Sequence, residues 1–150
     1  LYDTFGDKRQ LFLKVMDRYC TTFVGPKFSL LDQPGPALPT LRRFINGMIE
    51  GGLADPQRRG CLIANTVVEL SPHEQEIAGT LRLALRMVED TFFKVLARAK
   101  QQGELTQDKD PRALARFLTT MMQGTIVMIK AGASADAVKQ TAETTLSMLD

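Results

Sequence analysis

Few side chains in this 150-residue chain are both reactive and set among neighbours that would use them. There are two cysteines, Cys20 and Cys61, and one histidine, His73. Cys61 follows Arg58 and Arg59 and opens an apolar run that reads as a helix. Positive neighbours and a helix N-terminus both make a thiol a better nucleophile, so Cys61 is a candidate sensor of oxidants or electrophiles. The plainer alternative is a small buried apolar residue. Cys20 has no such neighbours in sequence. Two distant cysteines and a single histidine lack the close spacing of a zinc site, so no metal is expected. The chain shows no Ser/His/Asp order, no glycine-rich phosphate loop and no Glu-x-x-His helix. Glu69, Glu74 and Glu76 read as caps and solvated charges rather than as an acid/base pair. Neither catalysis nor a cofactor is expected.

Binding is the remaining chemistry. A ligand site is concave and mostly apolar, with a few placed polar groups. Phe44, Met48, Cys61, Asn65, Leu85, Val88, Phe92, Met121 and Met122 are the residues of that type, although a Met and aromatic stripe also serves as plain core. Asn65 stands in an apolar stretch, where an unpaired amide costs free energy. Its partner is therefore a ligand, the backbone or water.

The elements that must position these residues read as helices throughout. Asp7 is placed as an N-cap, with Gln10 completing a capping box. Leu11, Val15, Tyr19 and Phe23 follow at helical spacing, with Phe12 and Met16 beside them. Gly25-Pro26 is expected to stop this helix, and 26–39, with Pro26, Pro34, Gly35, Pro36 and Pro39, to form a loop. A second helix runs from Thr40 through Leu41, Phe44, Ile45, Met48 and Ile49 to Gly51-Gly52, before a turn at Asp55-Pro56. Residues 60–70 read as a short buried helix, since no strand partner exists. Ser71, Pro72 and Glu74 form a start signal for a long helix lined by Ile77, Leu81, Leu85, Val88, Phe92, Val95 and Leu96, which Gly103 ends. Asp110-Pro111 opens the next helix, Gly132 closes it, and Ser134 with Asp136 starts the last.

The helix over 111–131 is apolar nearly all round, so it must be covered on more than one side. It is either the central helix of a monomer or one that faces both its own core and a second subunit. Under the second reading it pairs, with the last helix, against its symmetry mates in a four-helix interface. Phe117, Gly124, Val127, Met128, Leu146 and Leu149 are the interface candidates. A net charge of +2 demands no polyanionic partner, and no apolar stretch approaches a membrane span. Two cysteines without a disulfide framework fit a reducing, cytoplasmic setting. The chain begins at Leu1, within a motif and without Met, and reads as a piece of a longer protein.

That motif is "LYDTFGDKRQLFLKVMDRY". It resembles the junction between the recognition helix and the following helix of TetR-family regulators, roughly Y-x-H-F-x-x-K-x-x-L. Tyr2, Phe5, Lys8 and Leu11 match, and Thr4 stands at the usual His. "GCLIANTVVELSPHEQEI" and "DPRALARFLTTMMQGTIVMIKAGAS" are similar to the effector domain of one TetR subgroup. The resemblance implies an all-α fold of antiparallel helices, with the two C-terminal helices forming the dimer interface. Residues 1–24 would be the end of the DNA-binding headpiece and its linking helix, and 25–150 the ligand-binding and dimerisation domain. Tyr2, Thr4 and Lys8 would touch the DNA backbone. The implied function is a repressor released from operator DNA by a small apolar or amphipathic effector. The alternative is a helical binding or dimerisation module with no DNA role.

Overall fold

The last two helices of this chain start at side-chain caps, whereas the helix that follows Pro36 starts without one. The computed structural model describes residues 2–69 and 75–150, with the side chains at 2–5 and 67–68 outside the description. Helix α1 spans Tyr2–Tyr19 and runs into a π turn at Cys20–Val24, a short helix α2 at Gly25–Phe28 and a 3-10 turn at Ser29–Asp32. Helix α3 is Ala37–Ala54, α4 Leu62–Glu69, α5 Gln75–Gln101, α6 Pro111–Lys130 and α7 Ala135–Ser147. There is no strand among the described residues. The caps expected at Ser71, Pro72 and Glu74, together with His73, lie outside the described residues.

Caps explain the second half. Asp110 accepts from the amide of Arg112 at 2.9 Å, with Pro111 at the first helical position of α6. Ser134 accepts from the amide of Ala137 at 3.2 Å to start α7. Gly103 and Gly132 take φ of 77° and 92°, and each ends its helix with the next residue's N–H reaching back five residues.

Three expectations in the first half are corrected. Asp7 is not an N-cap, because α1 is already helical from Tyr2 and Asp7 lies inside it, exposed. A single interior Gly6 costs only about 1 kcal/mol, too little to break the helix. Gly25-Pro26 does not stop the chain's helical course either. Pro26 has no N–H for the carbonyl four residues back, and its ring would strike that carbonyl. The π turn removes the conflict by widening one turn, with Gly25 N–H reaching Cys20 O, five residues back. The expected loop over 26–39 thereby shrinks to 33–36. Finally, α3 runs through Gly51-Gly52 to Ala54. Gly52 is needed for proximity: a Cβ there would stand 3.1 Å from Ile129 Cδ1 on α6.

The main core joins α2, α3, α5, α6 and α7 around Phe28, Phe44 and Phe92. Their ring centroids lie 4.8 to 6.0 Å apart in tilted and edge-on pairs, the arrangement the ring quadrupole favours. A second cluster of Met16, Ile63, Ile77 and Leu81 ties α1 to α4 and the start of α5. The inward face of this rod is thus Met16, buried, with Phe12, Tyr19 and Cys20 half-buried beside it, while Leu11, Val15 and Phe23, expected to line it, are exposed. On the far side, Arg112 binds Glu89 at 3.1 Å and Asp90 at 2.7 Å and covers the Phe93 ring, locking α6 to α5.

Candidate functional site

Where α3, α5, α6 and α7 meet, the core leaves a cavity of about 40 Å³. Phe44, Met48, Phe92, Met121 and Met122 line it, so five of the nine pocket candidates come together. Its lining contains no charged side chain. The polar groups are the hydroxyls of Thr125 and Thr145, which donate to Met121 O at 2.7 Å and Thr141 O at 2.8 Å. Their protons are committed, so each offers only acceptor lone pairs. The space is small, but three of its walls are methionines, unbranched and easily repacked.

The other four candidates sit elsewhere. Val88 is packed in the main core, and Leu85 walls a surface groove. Asn65 donates from Nδ2 to Arg59 O at 2.9 Å, so its amide is satisfied by backbone. Cys61 immediately precedes α4 and accepts the Asn65 amide through its own carbonyl at 3.0 Å. The helix N-terminus expected beside Cys61 is present, but the flanking arginines are engaged elsewhere. Arg59 pairs with Asp55, and Arg58 donates from Nη1 to Ile129 O at 3.0 Å and Ala133 O at 2.9 Å. Its group neighbour is instead Tyr19, whose O–H donates to Cys61 Sγ at 3.7 Å. Burial, reinforced by the Cys61 thiol, pushes the Tyr19 phenol well above its usual range, so it stays a donor. Burial likewise pushes the Cys20 thiol up, with Cys61 and Asp17 adding to it.

Arg58 was legible only as a charge, yet it closes α6. It adopts φ of 46°, which few side-chain-bearing residues do, and so directs its guanidinium at Ile129 O, which also accepts from the amide of Gly132 at 3.0 Å, and at Ala133 O just beyond the end of α6. Asp55 makes that turn possible. Its carboxylate accepts from the amides of Gln57 and Arg59, both at 3.1 Å, and these bonds hold its acidity stronger than an ordinary Asp.

The outer face of α6 is an open groove of about 660 Å³, walled by α7 on one side and by Ala64 and Leu85 on the other. Gly124, Val127 and Met128 of the interface candidates face it, and Val127 and Met128 are exposed. Phe117 packs half-buried on the main core. Leu146 and Leu149 are 7% and 1% exposed, so both are sealed inside their own subunit. The apolar stripe of α7 faces α3 and α6 of its own chain. Met148, exposed, was not singled out from sequence.

Lys8 is exposed and lies in the body of α1, not in the first turn that a cap at Asp7 would have given it. The side chains of Tyr2, Thr4 and Phe5 lie outside the described residues.

This helical arrangement has relatives. Residues 37–145 match the model of the tetracyclin repressor-like C-terminal domain. The chain belongs to the TetR family of transcriptional regulators. It is 34% identical over its whole length to the HTH-type transcriptional regulator YezE of Bacillus subtilis, covering 78% of that protein. It is 30% identical to the HTH-type transcriptional repressor ComR of Escherichia coli, over 99% of this chain and 71% of the relative. A solved structure of the TetR family regulator CifR, a cysteine mutant complexed with 26-base-pair operator DNA, superposes with a TM-score of 0.84. That pair shares 22% identity over all of this chain and 78% of the other, which supports the fold. As a TetR-family member the chain is a DNA-binding transcriptional regulator of all-α, TetR-like fold, and regulators of this family act as dimers. Among the described residues, no helix is long and apolar enough to cross a membrane.

Proposed function

We propose that this chain is the sensing and dimerising part of a cytoplasmic, non-enzymatic repressor. A small uncharged molecule entering the cavity between α3, α5, α6 and α7 releases it from operator DNA. The lining carries this reading: apolar and aromatic walls, two hydroxyl acceptors, and no side chain to neutralise an ionic guest. A charged effector would lose its hydration without compensation. The preferred guest is compact and apolar, with at most one or two donor groups.

Residues 1–24 are assigned to the DNA-facing end and 25–150 to sensing and dimerisation, with Lys8, Tyr2 and Thr4 facing the phosphate backbone. The rod from α1 to α2 joins the two parts without a break in helical structure. Gly124, Val127 and Met128 lie at the centre of the subunit interface. Coupling of about 1–3 kcal/mol between cavity and DNA end changes operator affinity 5- to 150-fold. A DNA-independent carrier has no observation in its favour.

Thermal denaturation with a panel of neutral and ionic metabolites tests the assignment. A neutral ligand at a hundred times its dissociation constant adds about 2.7 kcal/mol, or roughly 5–10 °C in Tm. Cavity occupancy is expected to disappear in Met122→Glu. Stabilisation by carboxylates or amines alone would refute the assignment.

A further inference from the structure

One cluster of nucleophilic side chains has no part in sensing or dimerisation as described. Cys20 opens the π turn and Cys61 precedes α4, yet both pack against the same buried Met16, Ile63, Ile77 and Leu81. Cys20 stands four residues beyond Met16, on the face of α1 that meets α4. Tyr19 bridges from the adjacent position to Cys61 Sγ. The two are the chain's only cysteines, and both are half-buried rather than sealed, so a small oxidant has access.

We propose that Cys20 and Cys61 form a redox pair, which a hydroperoxide converts to an intrachain disulfide strapping the π turn to the start of α4. In the first step the Cys61 sulfur loses its proton and attacks the peroxide O–O bond. An S–O bond forms, the O–O bond breaks, and the departing oxygen takes a proton to leave as water or alcohol. That proton is the one the Cys61 thiol gives up, and the Tyr19 O–H hydrogen-bonds to the sulfur beside it. In the second step the Cys20 sulfur attacks the resulting sulfenic acid. The S–S bond forms, the S–O bond breaks, and the oxygen takes the Cys20 thiol proton and leaves as water. Two thiols lose two electrons and two protons, and one peroxide gains them.

A disulfide needs its Cα atoms about 4.4–6.8 Å apart, and a pair outside that window closes only if the backbone moves. Cys20 sits where adjustment is easiest, at the start of a turn already departing from α-helical hydrogen bonding. The strap would join α4 to α1, the helix that carries Lys8, which the proposed function places on the DNA backbone. This couples oxidation to the same output as the effector through a separate site.

Peptide mapping without reduction, after one equivalent of hydrogen peroxide on the purified protein, tests the pair. The expected result is a crosslink between the Cys20 and Cys61 peptides within one chain, reversed by dithiothreitol. Both thiols should be lost together, without covalent dimer. In Cys20→Ser, oxidation should stop at Cys61 sulfenic acid, trapped by dimedone at about one adduct per chain. A chain-to-chain disulfide, a wild-type Cys61 sulfenic acid that persists beside a free Cys20 thiol, or identical products from wild type and Cys20→Ser would each overturn the proposal.

Discussion

At the scale of single residues, the turn before α4 shows what a sequence conceals. Asp55-Pro56 announces a turn by type, and a turn is there. The role of Arg58 is invisible, because it depends on a left-handed backbone and on carbonyls at Ile129 and Ala133, more than seventy residues away. Arg58→Ala is expected to cost about 1.5–3 kcal/mol, the range for hydrogen bonds from a charged group, measured as a fall in the urea midpoint. Arg58→Gly relieves the backbone but recovers none of the two bonds. If it restores full stability, backbone strain and not the guanidinium was decisive. Asp55 adds a pH signature. Its folded pKa lies below the ordinary value of about 3.9, so its contribution is complete above that value. The contribution is lost as pH falls through the lower folded value. Asp55→Asn should therefore be less stable than wild type at neutral pH, with the gap narrowing once acid protonates the wild-type carboxylate. A gap that is constant with pH would contradict this.

At the scale of elements, caps were legible and continuity was not. Asp110, Ser134, Gly103 and Gly132 act within one turn of themselves, so local sequence is enough to read them. Asp7, Gly25-Pro26 and Gly51-Gly52 differ because a lone glycine costs a helix little, a π turn absorbs the proline, and α3 packs against α6 at Gly52. Phe28, assigned to a loop, is instead one of three rings at the centre of the core. Gly52 gives the quantitative case. A methyl group there meets Ile129 Cδ1 at 3.1 Å, so in Gly52→Ala the helix gain of about 1 kcal/mol from Ala should be cancelled by a crowding cost of about the same size, leaving the urea midpoint near wild type. Shortening the obstacle with Ile129→Val should make the double mutant more stable than the sum of its parts. Strict additivity in the cycle would mean the two side chains do not meet.

For the whole molecule, the sequence told the class and the family but left the role of α6 open. The helix that is apolar nearly all round is covered on its inner faces by α3, α5 and α7, and presents Gly124, Val127 and Met128 outward. Both readings of it are therefore partly realised: it is central to its own subunit and leaves one face uncovered. Leu146 and Leu149 could not be assigned from periodicity, since an apolar stripe does not say which chain it packs against. Met128→Glu places a charge at the centre of the outward face without touching the core. Sedimentation should show a dimer becoming a monomer, with helical content unchanged. A variant that remains dimeric at micromolar concentration would remove this face from the interface. The cavity was half legible: its aromatic and methionine walls follow from residue type, whereas the departure of Cys61 and Asn65 to another part of the fold does not.

The π turn at Cys20–Val24 also has a geometric consequence. One extra residue in a helical rod advances the phase of everything downstream by about 100°. Upstream of the turn, the register of α1 is set by Met16 against α4; downstream, that of α2 is set by Phe28 against α3 and α5. The two ends obey different neighbours, and the widened turn is the offset that lets one continuous rod satisfy both. It acts as a vernier between α1 and α2. Within these five residues, the length of the chain rather than its composition sets the alignment of the two helices.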